Sequence, residues 1–152
     1  ARTVNTSVGR LSIDSCFRFD VPVWTERGLR PIHEIELGDR VLSKDVRTGE
    51  LAFKPVVWRT LRPTTAMIEV VAGGDAVHAT RAHPFAVDAR GWVKTRDLIS
   101  GMSARTYCGK ATIEALKASR SGRAFNLEVD DFGTFFVGKS GILVHDNAPI
   151  RD

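Results

Sequence analysis

Arg27-Gly28-Leu29, Glu34-Ile35 and Gly38 return as Arg90-Gly91-Trp92, Asp97-Leu98 and Gly101, each 63 positions on (27 to 90, 34 to 97, 38 to 101). Later, Ile68-Glu69-Val70 returns as Leu127-Glu128-Val129 at a spacing of 59, which a four-residue difference in one loop (63 against 59) reconciles with the first. Recurrence at a fixed spacing marks a duplicated unit. The chain therefore reads as two similar halves related by a pseudo-two-fold axis.

Each half is built of short β-branched or aromatic runs. In the first these are Val21–Trp24, Arg40–Ser43, Val56–Trp58, Met67–Val71 and Ala76–Ala79. In the second they are Phe85–Val87, Ala124–Val129, Thr134–Val137 and Gly141–Val144. Glycine-bearing turns at Gly28, Gly49 and Gly73-Gly74 punctuate them, the pattern of consecutive strands. Ala111–Ser119 has a helix-forming composition, but its repeat mate near Lys54–Thr60 is β-branched, so a strand is expected there too. The expectation is an all-β domain, with Gly38 and Gly101 in equivalent turns.

With 152 residues, 43% hydrophobic, the chain suffices for one globular core. No apolar run approaches the ~20 residues of a membrane span, and Ala1–Ser15 carries no apolar signal core. Lys and Arg number 22 against 18 Asp and Glu, giving +4. The basic groups are scattered; Arg59/Arg62 and Lys117/Arg120/Arg123 do not interleave aromatics, so neither nucleic acid nor membrane is an expected partner. Two cysteines make no disulfide framework, and none of the four histidines pairs with a cysteine at zinc-ligand spacing, so no metal or other cofactor is expected. A monomer is expected. Cys108 belongs in the core or in a second-half turn; a Cys16–Cys108 disulfide would silence the thiol. His33 and His78 read as structural or solvated.

Three clusters carry chemistry: Cys16 near the start, Thr80-Arg81-Ala82-His83 in the middle, and His145-Asp146-Asn147 near the end. A thiol, a Thr-x-x-His pair and a terminal His/Asn group are the parts needed to cut a peptide bond within the same chain. Reactive groups at both edges of a domain suit a domain whose substrates are its own two junctions.

The ordered set of motifs resembles the Hint domains of inteins, bacterial intein-like proteins and hedgehog autoprocessing domains. The resemblance covers about Cys16 to Asn147, nearly all of the chain. It runs through Cys16-Phe17, Gly38-Asp39-Arg40-Val41-Leu42, Ala79-Thr80-Arg81-Ala82-His83-Pro84-Phe85, Phe125-Asn126-Leu127-Glu128-Val129, Thr134-Phe135-Phe136-Val137-Gly138 and Val144-His145. No long insert separates His83 from Phe125, so there is no room for an endonuclease domain. The nearest likeness is to bacterial intein-like domains. The resemblance implies an all-β horseshoe with pseudo-two-fold symmetry. It divides the chain into a flank (1–15), an autoprocessing domain (16–147) and a second flank (148–152).

It also implies roles. Cys16 attacks the Ser15 carbonyl and turns the Ser15–Cys16 peptide bond into a thioester. His83 protonates the departing Cys16 nitrogen, and Thr80 holds the same amide. A sharp turn after Thr80, stiffened by Pro84, brings Thr80 and His83 together. Because a free thiol is mostly protonated at neutral pH, His83 acts as base and then acid. Water, a small thiol or an amine then takes the acyl group, so the partners are the chain's own flanking polypeptides and small nucleophiles. At the other end the family pattern is histidine followed at once by a cyclising asparagine, whereas here the order is His145-Asp146-Asn147-Ala148. Either Asn147 cyclises and cuts before Ala148, or Asp146 stands in the asparagine place, where a carboxylate would have to pass through an anhydride. Both registers predict slow or absent C-terminal cutting. Neither Asn147 nor Ala148 offers a hydroxyl or thiol to receive an acyl group, so no true splicing is expected. Related domains often carry a histidine where Gly133 stands, and Asn126 stands where inteins often use aspartate. The other readings are a non-catalytic Hint scaffold, a spacer or interaction module of a larger secreted protein, and a thiol protease acting on other chains. The sequence names neither host protein nor compartment.

Overall fold

The computed structural model describes residues 15–63, 65–119 and 122–150. The flank before Ser15, Arg120 and the last two residues lie outside the described residues. The first half contributes β1 (Phe17–Arg18), β2 (Pro22–Thr25), β3 (Gly28–Pro31), β4 (Arg40–Lys44), β5 (Leu51–Arg62) and β6 (Met67–Ala72). The second contributes β7 (Asp75–Thr80), β8 (Pro84–Val87), β9 (Gly91–Lys94), β10 (Ser103–Thr106), β11 (Gly109–Ser119) and β12 (Ala124–Val129). A last hairpin, β13 (Thr134–Val137) and β14 (Ile142–His145), follows. Ala111–Ser119 is strand, as its repeat mate indicated.

The duplication is visible bond by bond. Gly38 N–H donates to Val56 O and Val56 N–H to Asp39 O; Gly101 N–H donates to Ile113 O and Ile113 N–H to Met102 O. The short 3-10 turns Ile32–Glu34 and Thr95–Asp97 are likewise mates. Ile32 N–H donates to Val21 O at 2.8 Å, and Thr95 N–H donates to His83 O at 2.9 Å. His83 thus occupies in the second half the place that apolar Val21 fills in the first. The central strand order, β10-β11-β6-β7-β1-β12-β5-β4, is a palindrome under exchange of the halves. Its axis passes between Phe17 of β1 and Ala79 of β7, which pair directly. Each half lends a strand to the other: β6 pairs β11, and β12 pairs β5. The fold is all-β and pseudo-symmetric, as the resemblance implied. Strands β1, β3, β9 and β10 were not marked by the runs above: none exceeds four residues, and β3 is largely solvent-facing.

The core is continuous across both halves, joining Phe17, Val23, Val77, Phe85, Leu127 and Phe135 among others. The last hairpin breaks the symmetry. β13 pairs β2 at Val137–Val23, while β14 pairs β8 at Val144–Phe85 and β10 at Ile142–Thr106. Its turn is tight: Gly141 has φ +66, and a Cβ there would stand 2.8 Å from the Tyr107 ring and 3.0 Å from the Trp24 ring, a position that excludes any side chain. The Trp24 indole N–H donates to Gly138 O at 2.7 Å. The docked hairpin carries His145 and the residues after it into the centre of the molecule.

Candidate active site

Ser15, Cys16, Thr80, His83, Asn126, His145, Asp146 and Asn147 all have less than a tenth of their surface exposed. Buried polar groups of this density must be mutually hydrogen-bonded, and their partners define the site. Thr80 ends β7, and the chain turns at once: His83 N–H donates to Thr80 O at 3.2 Å, which places the two side chains at the same junction. The Thr80 hydroxyl accepts the Cys16 N–H at 2.8 Å, and the Thr80 N–H donates to Cys16 O, also at 2.8 Å. On the other side of the same peptide bond, the Asn126 side-chain N–H donates to Ser15 O. The Asn126 amide is oriented by its oxygen, which accepts Leu127 N–H at 2.8 Å. The Ser15–Cys16 bond is therefore held by a side chain at each end.

His83 contacts both junctions. Its Nδ1 lies 3.3 Å from Ser15 Oγ and its Nε2 lies 2.8 Å from His145 O. The ring is packed against Phe17, with centroids 4.0 Å apart. Burial in these apolar surroundings pushes the imidazole down to about 3, against weaker upward pulls from the His145 carbonyl and the Asp146 carboxylate. The ring is neutral at physiological pH. A carbonyl only accepts, so Nε2 carries the proton and Nδ1 presents its lone pair to the junction. Cys16 is reduced and wholly buried, its side chain clustered with Met67 and Ala124. Cys108 is exposed in the turn between β10 and β11, outside the core and not disulfide-bonded to Cys16.

At the C-terminal end, β12 is again the scaffold. Asn147 N–H donates to Leu127 O at 2.8 Å, next to Asn126. The Asp146 carboxylate accepts Val129 N–H at 2.8 Å and Ala148 N–H at 2.9 Å. His145 Nδ1 is 3.0 Å from Asp146 O, so it donates to the carbonyl of the Asp146–Asn147 bond. Asn147 Nδ2 donates to Thr60 Oγ1 at 2.8 Å, and Thr60 lies directly across from Asn126 in the β12–β5 ladder. An open pocket of about 180 Å³, lined by Trp92, Gly133, Thr134, His145 and Pro149 among others, reaches this end of the site. A larger groove, about 870 Å³, beside Arg30, Trp58 and Arg59 shares no lining residue with either junction. His33 and His78 stand apart, on Phe19 O and Ser119 Oγ. Among the described residues no cluster of His, Cys, Asp or Glu suits a metal ion.

The structure places Ser15, Cys16, Thr80, His83, His145, Asp146 and Asn147, all named from the sequence, in one buried hydrogen-bonded cluster, and adds Asn126 and Thr60 to it. Asn126 was noticed only as a substitution; its contact with the Ser15 carbonyl was not foreseen. The available signal was a polar side chain in the Ala124–Val129 strand, every residue of which is buried.

The neutral burial of His83 has a stability consequence. Its folded value lies below the ordinary ~6.5, so the unfolded chain binds the proton first as pH falls. The stabilisation is complete above about pH 6.5 and is lost progressively toward pH 3, by up to ~1.4 kcal/mol per pH unit. Urea melts at pH 7 and pH 5 are expected to show the parent losing about 2 kcal/mol more than His83→Gln. Equal losses in both proteins would contradict a buried neutral imidazole.

With this geometry established, the class is that of intein-like self-processing domains. A model of the pretoxin HINT domain family matches residues 22–147, and the chain belongs to that family. The solution structure of a bacterial intein-like domain from Clostridium thermocellum is 31% identical, with a TM-score of 0.82 over 86% of this chain and 98% of that one. A DnaB intein from Synechocystis sp. PCC 6803 gives a TM-score of 0.76 at 17% identity, covering 89% and 99%. The gp41-1 intein gives 0.72 at 20%, covering 86% and 97%; at such identities the likeness concerns the fold alone. No curated protein matches the chain.

Proposed function

We propose that this autoprocessing-type domain cuts its own backbone at the Ser15–Cys16 bond through an N–S acyl shift. The observation that carries the reading is the two-sided grip on that bond: Asn126 on its carbonyl oxygen and Thr80 on its nitrogen, with His83 reaching Ser15. In the step, Cys16 Sγ–H gives its proton to His83 Nδ1 and the sulfur attacks the Ser15 carbonyl carbon. The Asn126 N–H follows the oxygen as it gains negative charge, which stabilises the transition state more than the planar amide. The C–N bond then breaks and the Cys16 nitrogen receives the proton. Thr80 fixes that nitrogen throughout. The thioester passes to water, a small thiol or an amine and releases what precedes Cys16. The family's description, a pretoxin domain, supports a role in maturing a toxin precursor whose flanking segments are the natural substrates.

At the C-terminal junction the bond addressed by His145 is Asp146–Asn147, which favours the register in which Asp146 stands in the asparagine place. A carboxylate has no amide nitrogen with which to cyclise, so this junction stays intact, and with no acyl acceptor after it the domain cleaves without splicing. The competing reading is an inert Hint scaffold; the packing of the Cys16 side chain with Met67 and Ala124 is what favours it. Incubating the precursor with dithiothreitol separates the two: the proposal expects a fragment ending at Ser15 by mass spectrometry, whereas a chain intact after days supports the scaffold.

A further inference from the structure

Ser15 is 4% exposed, and its hydroxyl lies 3.3 Å from His83 Nδ1. The imidazole's other nitrogen is committed to the His145 carbonyl, so Nδ1 can only accept and Ser15 Oγ–H donates to it. The lone pair that the proposed reaction needs for the Cys16 proton is therefore occupied by the hydroxyl of the residue on the acyl side of the cut. We propose that Ser15 is a latch: its side chain holds the His83 base in the uncut chain, and the identity of residue 15 sets how fast the N-terminal junction is cut.

A buried hydroxyl that lets go of its acceptor loses a partner it cannot replace with water. The Ser15 backbone is pinned by Asn126 at its oxygen, and the Cys16 backbone by Thr80 at its nitrogen. Movement is thus confined to two side chains. Ser15 Oγ must swing off Nδ1, and the Cys16 sulfur must leave Met67 and Ala124 to reach it. Until both occur, Nδ1 is closed to the thiol proton. Once they do, that proton moves from sulfur to Nδ1, the S–C bond forms, the C–N bond breaks, and the proton finishes on the Cys16 nitrogen. Nothing further is consumed. The Thr80 and Asn126 contacts stay in place, so the latch acts on the base rather than on the orientation of the bond.

This inference rests on the self-cutting reading, and the test separates the two. Precursors carrying Ser15, Ser15→Ala and Ser15→Thr are incubated with hydroxylamine, and the fragment ending at residue 15 is followed by mass spectrometry. Ser15→Ala is expected to cut about tenfold faster than the parent, the size of one released neutral hydrogen bond. Ser15→Thr keeps the hydroxyl and stays slow. An Ala variant no faster than the parent, or a Thr variant as fast as Ala, overturns the latch while leaving self-cutting intact. Failure of all three to yield the fragment overturns both.

Discussion

Asn126→Leu is expected to slow cleavage after Ser15 by about 10²–10³-fold, the usual cost of removing one donor from a developing oxyanion. Asn126 is completely buried in β12, and its amide nitrogen points at the Ser15 carbonyl because its oxygen is spent on Leu127 N–H. Leucine has nearly the same volume and a strand-compatible shape, so packing is retained. Leu127 N–H loses an acceptor, which costs about 1–3 kcal/mol. The measurement is therefore paired: a cleavage time course in dithiothreitol beside a thermal melt. The account expects a rate loss far larger than the loss of folded population can explain. A rate within a few-fold of the parent would mean that the contact only packs the junction.

Asp146→Asn is expected to switch on the C-terminal cut. The carboxylate now clamps Val129 N–H and Ala148 N–H, and both bonds need an acceptor. An asparagine oxygen can keep one of them; the amide nitrogen then faces a second donor and is not held. That nitrogen can attack the carbonyl carbon of its own residue, closing a five-membered succinimide as the bond to the Asn147 nitrogen breaks and that nitrogen takes up a proton. His145 Nδ1–H already donates to the oxygen concerned, at 3.0 Å. The expected result is a new peptide beginning at Asn147, formed at least tenfold faster than any C-terminal product of the parent. A peptide beginning at Ala148 would place the reacting residue at Asn147, whose side-chain N–H is now given to Thr60.

The contrast between these residues shows what the sequence could and could not convey. The duplication was legible because the fold stabilises both halves with the same glycine turns, and Gly38 and Gly101 make mated backbone bonds. Thr80 and His83 were legible because three positions and a turn suffice to bring them together. The role of Asn126 was not, since it depends on β12 crossing to the other half, pairing with β5 and lying beside β1. Nor could spacing decide between Asp146 and Asn147; that turns on which carbonyl His145 reaches and on the clamp from Val129. The tautomer of His83, which decides whether it begins as acid or base, follows from a carbonyl 62 positions away at His145.

The central claim is an acyl transfer from the Cys16 nitrogen to its sulfur, and hydroxylamine tests it most directly because it captures a thioester as a hydroxamate. The account predicts a fragment ending at Ser15 and carrying a C-terminal hydroxamate in the parent, and no such fragment from Cys16→Ala. A parent that stays whole, or a hydroxamate that persists without the Cys16 sulfur, would contradict it.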